Sequence, residues 1–169
     1  MIIAISGTPG TGKHTVAKVL ADKMGYRVID LGKALNKEKK EREVTLIELN
    51  RTFQKLKKDN SIVISHLSHL INSPDIRMVI VLRTDPLILA DRLKHRNYSR
   101  EKIYDNVMFE AIDGTYMEAL KRRGNVFQVD NTLNVHRTVE RVLKIINGKE
   151  KSETIDFSRK IVKIEKMFK

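Results

Sequence analysis

Cysteine and tryptophan are absent from this chain of 169 residues, proline occurs only three times, and no apolar run approaches the length of a membrane span. Without cysteine there is no disulfide framework, no thiolate metal site and no cysteine nucleophile. A bilayer span needs about 18 consecutive apolar residues. We therefore expect one intracellular, cytoplasmic domain without a membrane contact. Because the first motif begins near residue 2, we also expect no signal peptide before it.

Residues 2–15 read Ile-Ile-Ala-Ile-Ser-Gly-Thr-Pro-Gly-Thr-Gly-Lys-His-Thr and predict a phosphate-binding loop between a strand and a helix. The apolar run 2–5 suits a short buried parallel strand, and apolar residues at helical spacing follow the loop. Backbone N–H groups in such a loop turn inward around an anion, and the helix N-terminus adds partial positive charge. Lys13 would then reach the outer phosphates. A glycine-rich turn without a ligand is the weaker alternative.

The residue after Lys13 departs from the usual pattern. A serine or threonine commonly stands there and binds Mg²⁺, whereas this chain has His14, with Thr15 one position later. Gly-Lys-His-Thr is more similar to the Gly-Lys-Gly-Thr of adenylate kinases than to the loop of GTPases. Because Mg²⁺ prefers oxygen ligands, we interpret His14 as a helix-surface residue. We expect Mg²⁺ to be carried with ATP and no protein side chain to be its dedicated ligand.

The charge balance is strongly basic, with 33 Lys and Arg against 21 Asp and Glu and a formal net charge of +12. A nucleotide site accounts for only a few of these cations. The excess predicts a partner such as RNA, the ribosome or an acidic protein. The alternative is a lysine-rich, solvated surface of the kind common in thermophiles. Composition leaves both interpretations open.

Short apolar runs alternate with helical patterns, which predicts an α/β fold with a parallel sheet. Strands are expected at residues 2–5, 26–31, 61–65, 78–82 and 126–129. Thr45 and Glu48 fit a capping box at the start of a helix, and one long helix is expected over residues 100–120. Residues 149–169 form a basic extension that is too apolar for plain disorder. They either add a strand or helix to the domain or order on a partner.

Four stretches, in order, carry a resemblance to a known family. They are residues 7–15, Val-Ile-Ser-His at 63–66, Val-Ile-Val-Leu-Arg-Thr-Asp at 79–85, and Arg-Leu-Lys-His-Arg-Asn-Tyr-Ser at 92–99. The Asp-Asn pair at 105–106 fits as well. With this order and spacing, the chain from residue 1 to about residue 147 resembles the adenylate kinase isoenzyme 6 family of archaea and eukaryotes.

This resemblance implies an adenylate-kinase-like P-loop fold, with a five-stranded parallel sheet of order 2-3-1-4-5 and helices on both faces. It implies a kinase domain over residues 1–148, with a monophosphate-binding arm at about 30–51 and a lid at about 96–110, followed by the extension 149–169. The implied activity is ATP + AMP to two ADP, with ATP hydrolysis and a role in small-subunit ribosome assembly through a ribosomal protein or rRNA. The alternatives are an ATP-gated assembly factor with little kinase activity, and another small-metabolite P-loop kinase.

The resemblance also implies the site residues. Those expected to bind ATP are Gly7, Pro9, Gly10, Thr11, Gly12, Lys13, His14, Thr15 and Arg96. Those expected to meet the acceptor nucleotide are Asp30, His66 and Arg92, and the catalytic set is Lys13, Arg83, Arg96 and His66.

Three of these positions have structural alternatives. Asp30 could equally cap the following helix, His66 could cap the next segment, and Arg92 could be a surface ion-pair partner. The acid that the family has before this histidine is Ile64 here. Isoleucine cannot orient a metal-bound water, so positioning and the neutralisation of charge must carry the transfer.

Overall fold

A computed structural model describes residues 1–38 and 44–169, without the side chains of residues 36–38. The strands are β1 (Ile2–Ser6), β2 (Arg27–Asp30), β3 (Ser61–Ile64), β4 (Ile76–Arg83) and β5 (Val126–Asp130). The helices are α1 (Lys13–Met24), α2 (Leu31–Glu38), α3 (Leu46–Leu56), α4 (Pro86–Lys94), α5 (Arg100–Ala111), α6 (Gly114–Leu120), α7 (Val135–Ile146) and α8 (Ile161–Phe168). None of the helices in these two stretches has the length and apolar character that a membrane span requires.

The strands form one parallel sheet in the order β2-β3-β1-β4-β5. This confirms the order that the sequence resemblance implies, and each strand end differs from its expected position by at most two residues. Because all strands run in the same direction, their carboxyl ends meet at one edge of the sheet, where open α/β sheets bind ligands. The register pairs Ile5 with Ile64 and Ile64 with Asp30 along this edge.

Helices cover both faces of the sheet, as expected. Successive side chains of β1 point to opposite faces, so Ile3 and Ile5 contact one helical layer while Ile2 and Ala4 contact the other. The first layer consists of α1 and α7, which bury Val16, Leu20, Val139 and Val142. The second consists of α2, α3 and α6, which bury Leu31, Leu49, Phe53 and Ala119. The central strands have unbroken apolar sequences because both of their faces are buried.

The expectation of one helix over residues 100–120 is wrong. α5 ends at Ala111, α6 begins at Gly114, and Asp113 between them is left-handed with φ 60°. Arg83 donates a hydrogen bond of 2.5 Å to the Asp113 carboxylate and holds the break. The ring of Phe109 occupies the space that a Cβ at position 114 would need, so the second helix starts at glycine.

Residues 149–169 lie against the domain. The N–H of Glu153 donates to the carbonyl of Gln128 (3.2 Å), and the N–H of Gln128 donates to Ser152 Oγ (2.8 Å), so the segment follows β5. α8 then buries Ile164 completely against α4 and α5. The sequence left open whether this extension adds a strand or helix to the domain or orders on a partner. The structure shows an added helix packed on the domain. The boundary at 148 and the ranges of arm and lid stay predictions, and residues 39–43 of the arm lie outside the described residues.

Candidate functional site

A cavity of about 1130 Å³ opens at the carboxyl ends of β1, β2 and β3, beside the N-terminus of α1. It is slightly larger than the range of about 300–1,000 Å³ that is usual for one small-molecule site. The predicted residues that line it are Pro9, Gly10, Gly12, Lys13, His14, Thr15, Asp30, His66 and Arg96. Tyr98, Lys102 and Asn106 of the predicted lid line it as well. Gly7, Thr11, Arg83 and Arg92 are not among the lining residues.

On its buried side, the phosphate loop (residues 7–12) packs closely against two parts of the protein, at Gly7 and at Gly12. A Cβ at Gly7 (φ 138°) would lie 2.5 Å from the carbonyl oxygen of Leu82, and one at Gly12 (φ 85°) would lie 2.5 Å from Asn131 Nδ2. Both positions therefore require glycine. Asn131 Nδ2 also donates to the carbonyl of Thr11 (2.8 Å). Gly7 and Thr11 thus shape the loop from its buried side, while Pro9, Gly10 and Gly12 face the cavity.

Lys13 lies at the base of this cavity and is only 7% exposed. Its Nζ donates to the carbonyls of Gly7 (2.6 Å) and Thr8 (2.9 Å). The pKa of Lys13 is lowered to about 8: burial is the main cause and the charge of Arg96 adds to it, while Glu110 and Asp30 oppose the shift. The side chain is therefore a largely protonated cation at neutral pH, held by two neutral carbonyls. A phosphate would be a much better partner for it.

Asp30 and His14 form a pair at the cavity wall. Asp30 Oδ1 accepts from the N–H of Lys33 (2.8 Å), so Asp30 caps the first turn of α2, the structural role left open by the sequence. Its second oxygen lies 2.8 Å from His14 Nε2. The His14 side chain is 73% exposed, which agrees with a position on the surface of α1. Asp30 still lines the cavity and remains within reach of a ligand.

His66 contributes a neutral imidazole to the cavity wall. His66 is exposed to the cavity, and desolvation by the cavity wall, together with the charges of Lys13 and the neighbouring His69, lowers the pKa of His66. The ring can therefore donate one hydrogen bond and accept another near neutral pH. His69 is itself buried and links Ser6 Oγ (2.7 Å) at the end of β1 to Glu118 Oε2 (3.0 Å) on α6.

Two arginines expected at the ligand lie elsewhere. Arg83 is 1% exposed, and its guanidinium donates to Glu110 (2.7 Å), Gln128 (2.7 Å) and Asp113 (2.5 Å). With a further bond to the Glu110 carbonyl (2.8 Å), four of its five N–H donors are used inside the protein, and Arg83 does not line the cavity in this conformation. Arg92 lies behind the phosphate loop, where it donates to the carbonyl of Thr132 (2.6 Å). Neither placement matches a direct contact with phosphate.

Glu110 and Asn131 are the residues near the loop that sequence reasoning missed. Asn131 lies in the polar loop after β5 and carries no motif. Glu110 had a usable signal, because it continues the buried stripe of Ile103 and Val107 at helical spacing. A carboxylate on an apolar helix face is almost always paired inside the protein.

The sheet order and the phosphate loop together show that the protein has a P-loop kinase fold. The shikimate kinase from Aquifex aeolicus has a similar structure, with a TM-score of 0.62 at 15% identity, covering 88% of this chain and 97% of that one. This likeness concerns the fold alone. The model of the family described as AAA domain matches residues 3–118.

Archaeal relatives define the family more closely. A protein of Pyrococcus abyssi named "Putative adenylate kinase" is 42% identical over 159 residues, which cover 90% of this chain and 85% of the relative. A protein of Thermococcus kodakarensis with the same name is 41% identical over 154 residues, covering 86% and 85%. The chain belongs to this adenylate kinase-like family.

Proposed function

We propose that this protein is an adenylate kinase, which transfers the γ-phosphoryl group of ATP to AMP and so forms two ADP. The observation that supports this most directly is that a phosphate loop, two cations and a neutral histidine line one cavity: Lys13, Arg96 and His66. The cavity of about 1130 Å³ is near the upper limit of about 1,000 Å³ for small-molecule sites, which is compatible with a donor and an acceptor nucleotide. The names of the archaeal relatives support the same activity.

In the proposed reaction, a phosphate oxygen of AMP bonds to the γ-phosphorus of ATP while the bond to the bridging oxygen breaks, and its electrons leave with ADP. Little covalent chemistry is required of the protein, so charge and positioning carry the rate. Lys13 would exchange the Gly7 and Thr8 carbonyls for phosphate oxygens. Arg96, near enough to lower the pKa of Lys13, supplies a second cation. His66, being neutral, would orient the acceptor phosphate by a hydrogen bond.

Magnesium enters with ATP in this proposal. Among residues 1–38 and 44–169, no group of three His, Asp or Glu side chains is arranged to hold a metal ion alone. Asp30 and Thr15 do offer oxygen atoms in the cavity, the donor type that Mg²⁺ prefers. An ion held by ATP phosphates and water would neutralise charge on the transferring group.

The finer assignment, to the isoenzyme 6 branch with ATP hydrolysis and small-subunit rRNA maturation, is part of the same proposal. The net charge of +12 supports it. Lys55 and Lys58 at the end of α3, and Lys121 and Arg122 after α6, are exposed. Other cations of these clusters have protein partners: Lys57 pairs with Asp75 (2.6 Å) and Arg123 donates to the carbonyl of Ile71 (2.5 Å). Lys39 and Lys40, expected on the arm, lie outside the described residues.

The kinase assignment is tested by Lys13→Ala in an assay that measures ADP formed from ATP and AMP. The variant should lose on the order of 10²-fold or more in turnover, because it removes a cation that stabilises the transition state. Lys18→Ala is the matched control, since it removes an exposed lysine from the same helix. Equal turnover in the wild type and the Lys13 variant would remove the site assignment.

The rRNA assignment is tested by binding of small-subunit rRNA across a salt series. Each single-strand phosphate contact should contribute a log–log slope of about −0.7. A double substitution, Lys121→Glu with Arg122→Glu, should weaken binding and flatten the slope, whereas Lys18→Glu should not. If the wild type does not bind rRNA at moderate salt, the basic surface is only solvated and the metabolic kinase stands alone.

A further inference from the structure

Glu110 is a buried charge that has no part in the transfer described above. It is 1% exposed, and both carboxylate oxygens are hydrogen bonded. Oε1 accepts from Arg83 Nε (2.7 Å) and from the N–H of Thr84 (3.1 Å). Oε2 accepts from Thr8 Oγ1 (2.5 Å). A buried carboxylate is tolerated only when such partners satisfy it. Arg83 and Thr84 at the end of β4 hold the Glu110 carboxylate in place, and the carboxylate in turn holds Thr8 of the phosphate loop.

Thr8 connects this carboxylate to the principal cation of the cavity. The carbonyl of Thr8 accepts from Lys13 Nζ (2.9 Å) and from Thr11 Oγ1 (2.9 Å). The Thr8 hydroxyl therefore anchors the loop below, while its carbonyl holds Lys13 above. A shift of Thr8 would move the carbonyls that keep Lys13 in place at the base of the cavity.

We propose that Glu110 is a positioning residue for the phosphate loop, acting on Lys13 through Thr8. The inference deepens the proposed function, on which it rests for its ligand, ATP. Glu110 also acts on Lys13 electrostatically, because its negative charge favours the protonated form of the lysine. Burial and Arg96 lower the pKa of Lys13, and Glu110 and Asp30 raise it. Arg83 and Asp113 complete the charged groups around Glu110, and on the cavity side the charge of Lys13 lowers the pKa of His66.

Four variants separate positioning from general support of the fold. Glu110→Gln keeps the size of the side chain and removes its charge. Asp113→Asn is the matched control, because Asp113 also pairs with Arg83 (2.5 Å) but is bonded to no residue of the phosphate loop, and asparagine suits the left-handed conformation. Thr8→Val removes the hydroxyl that reaches Glu110, and Thr8→Ser keeps it.

Two measurements apply to all four variants. The ionisation of Lys13 is followed by NMR in the nucleotide-free protein, and the affinity for Mg-ATP is followed by calorimetry from about pH 6.5 to about 9.5. Glu110→Gln should lower the pKa of Lys13 below about 8 and weaken ATP binding about tenfold, as expected for the loss of a charged hydrogen bond. Thr8→Val should weaken binding, because the loop whose carbonyl accepts from Lys13 loses its hydroxyl anchor on Glu110. Thr8→Ser should keep more of the wild-type ATP affinity than Thr8→Val, and Asp113→Asn should resemble the wild type.

An unchanged Lys13 titration in Glu110→Gln would overturn the inference, and so would an equal effect of Asp113→Asn. If Glu110→Gln does not fold, the Thr8 pair decides: equal ATP affinity in Thr8→Val and Thr8→Ser would also overturn it. If the wild type itself does not bind ATP, the proposed function fails. The Lys13 titration without nucleotide still tests the coupling to Glu110 in that case.

Discussion

Replacing Ile164 by alanine tests whether α8 is an integral part of the domain. Ile164 is fully buried among Leu89, Leu93, Ile103 and Val107. Truncating a buried isoleucine to alanine costs about 2–5 kcal/mol of stability. α8 is a terminal helix with one fully buried side chain, and its surroundings can partly collapse, so we expect about 2–3 kcal/mol. At about 2–4 °C per kcal/mol for a chain of this size, Tm should fall by about 4–12 °C.

The assay is thermal and urea unfolding followed by circular dichroism. Val162→Ala is the matched control, since Val162 lies on the same helix and is 61% exposed. The control should change the free energy of unfolding by less than about 0.5 kcal/mol. If the two variants unfold alike, and limited proteolysis removes the terminal segment equally fast from both, α8 is not docked in solution and the reasoning is refuted.

Three further predictions concern the phosphate loop. His14→Ser should leave turnover equal or higher, because the His14 side chain is 73% exposed and pairs with Asp30 at the cavity wall; a collapse of turnover in a folded variant would make His14 catalytic. ATP affinity should fall as the pH rises through about 8, where Lys13 loses its proton, and a flat calorimetric profile to about pH 10 would contradict this. The pKa of Lys13 is lower in the folded protein than its ordinary value of 10.5. Between about pH 8 and 10.5 the unfolded chain therefore binds more protons, and the free energy of unfolding should rise with pH in the wild type but not in Lys13→Met.

The sheet and the phosphate loop were predictable because their signals are local. Apolar runs of strand length, the glycines at fixed spacing and the capping box of Thr45 and Glu48 each depend on a few adjacent residues, and the capping box is present. The sequence resemblance supplied the strand order. The break at Asp113 was not predictable, because the partner that holds it, Arg83, lies 30 residues away in sequence.

The arginines show where local reasoning fails. Arg83 stands at the carboxyl end of β4, a position that favours a ligand contact. Its role depends on whether a buried acid competes for it, and Glu110 does so at 2.7 Å. Arg92 was named as a phosphate contact or a surface ion-pair partner. It instead donates to the backbone carbonyl of Thr132, and carbonyl acceptors have no signature in the sequence.

The most direct test of the central claim is ³¹P NMR of the wild-type protein incubated with Mg-ATP, with and without AMP. An adenylate kinase site built on Lys13 and Arg96 predicts that AMP accelerates the formation of ADP, and that this AMP-dependent reaction forms two ADP for each ATP consumed without releasing inorganic phosphate. The proposed ATP hydrolysis would add only a slower release of phosphate that does not depend on AMP. If AMP does not accelerate the formation of ADP, and each ADP formed is matched by one inorganic phosphate, the result would contradict the account and identify the protein as an ATPase without kinase activity.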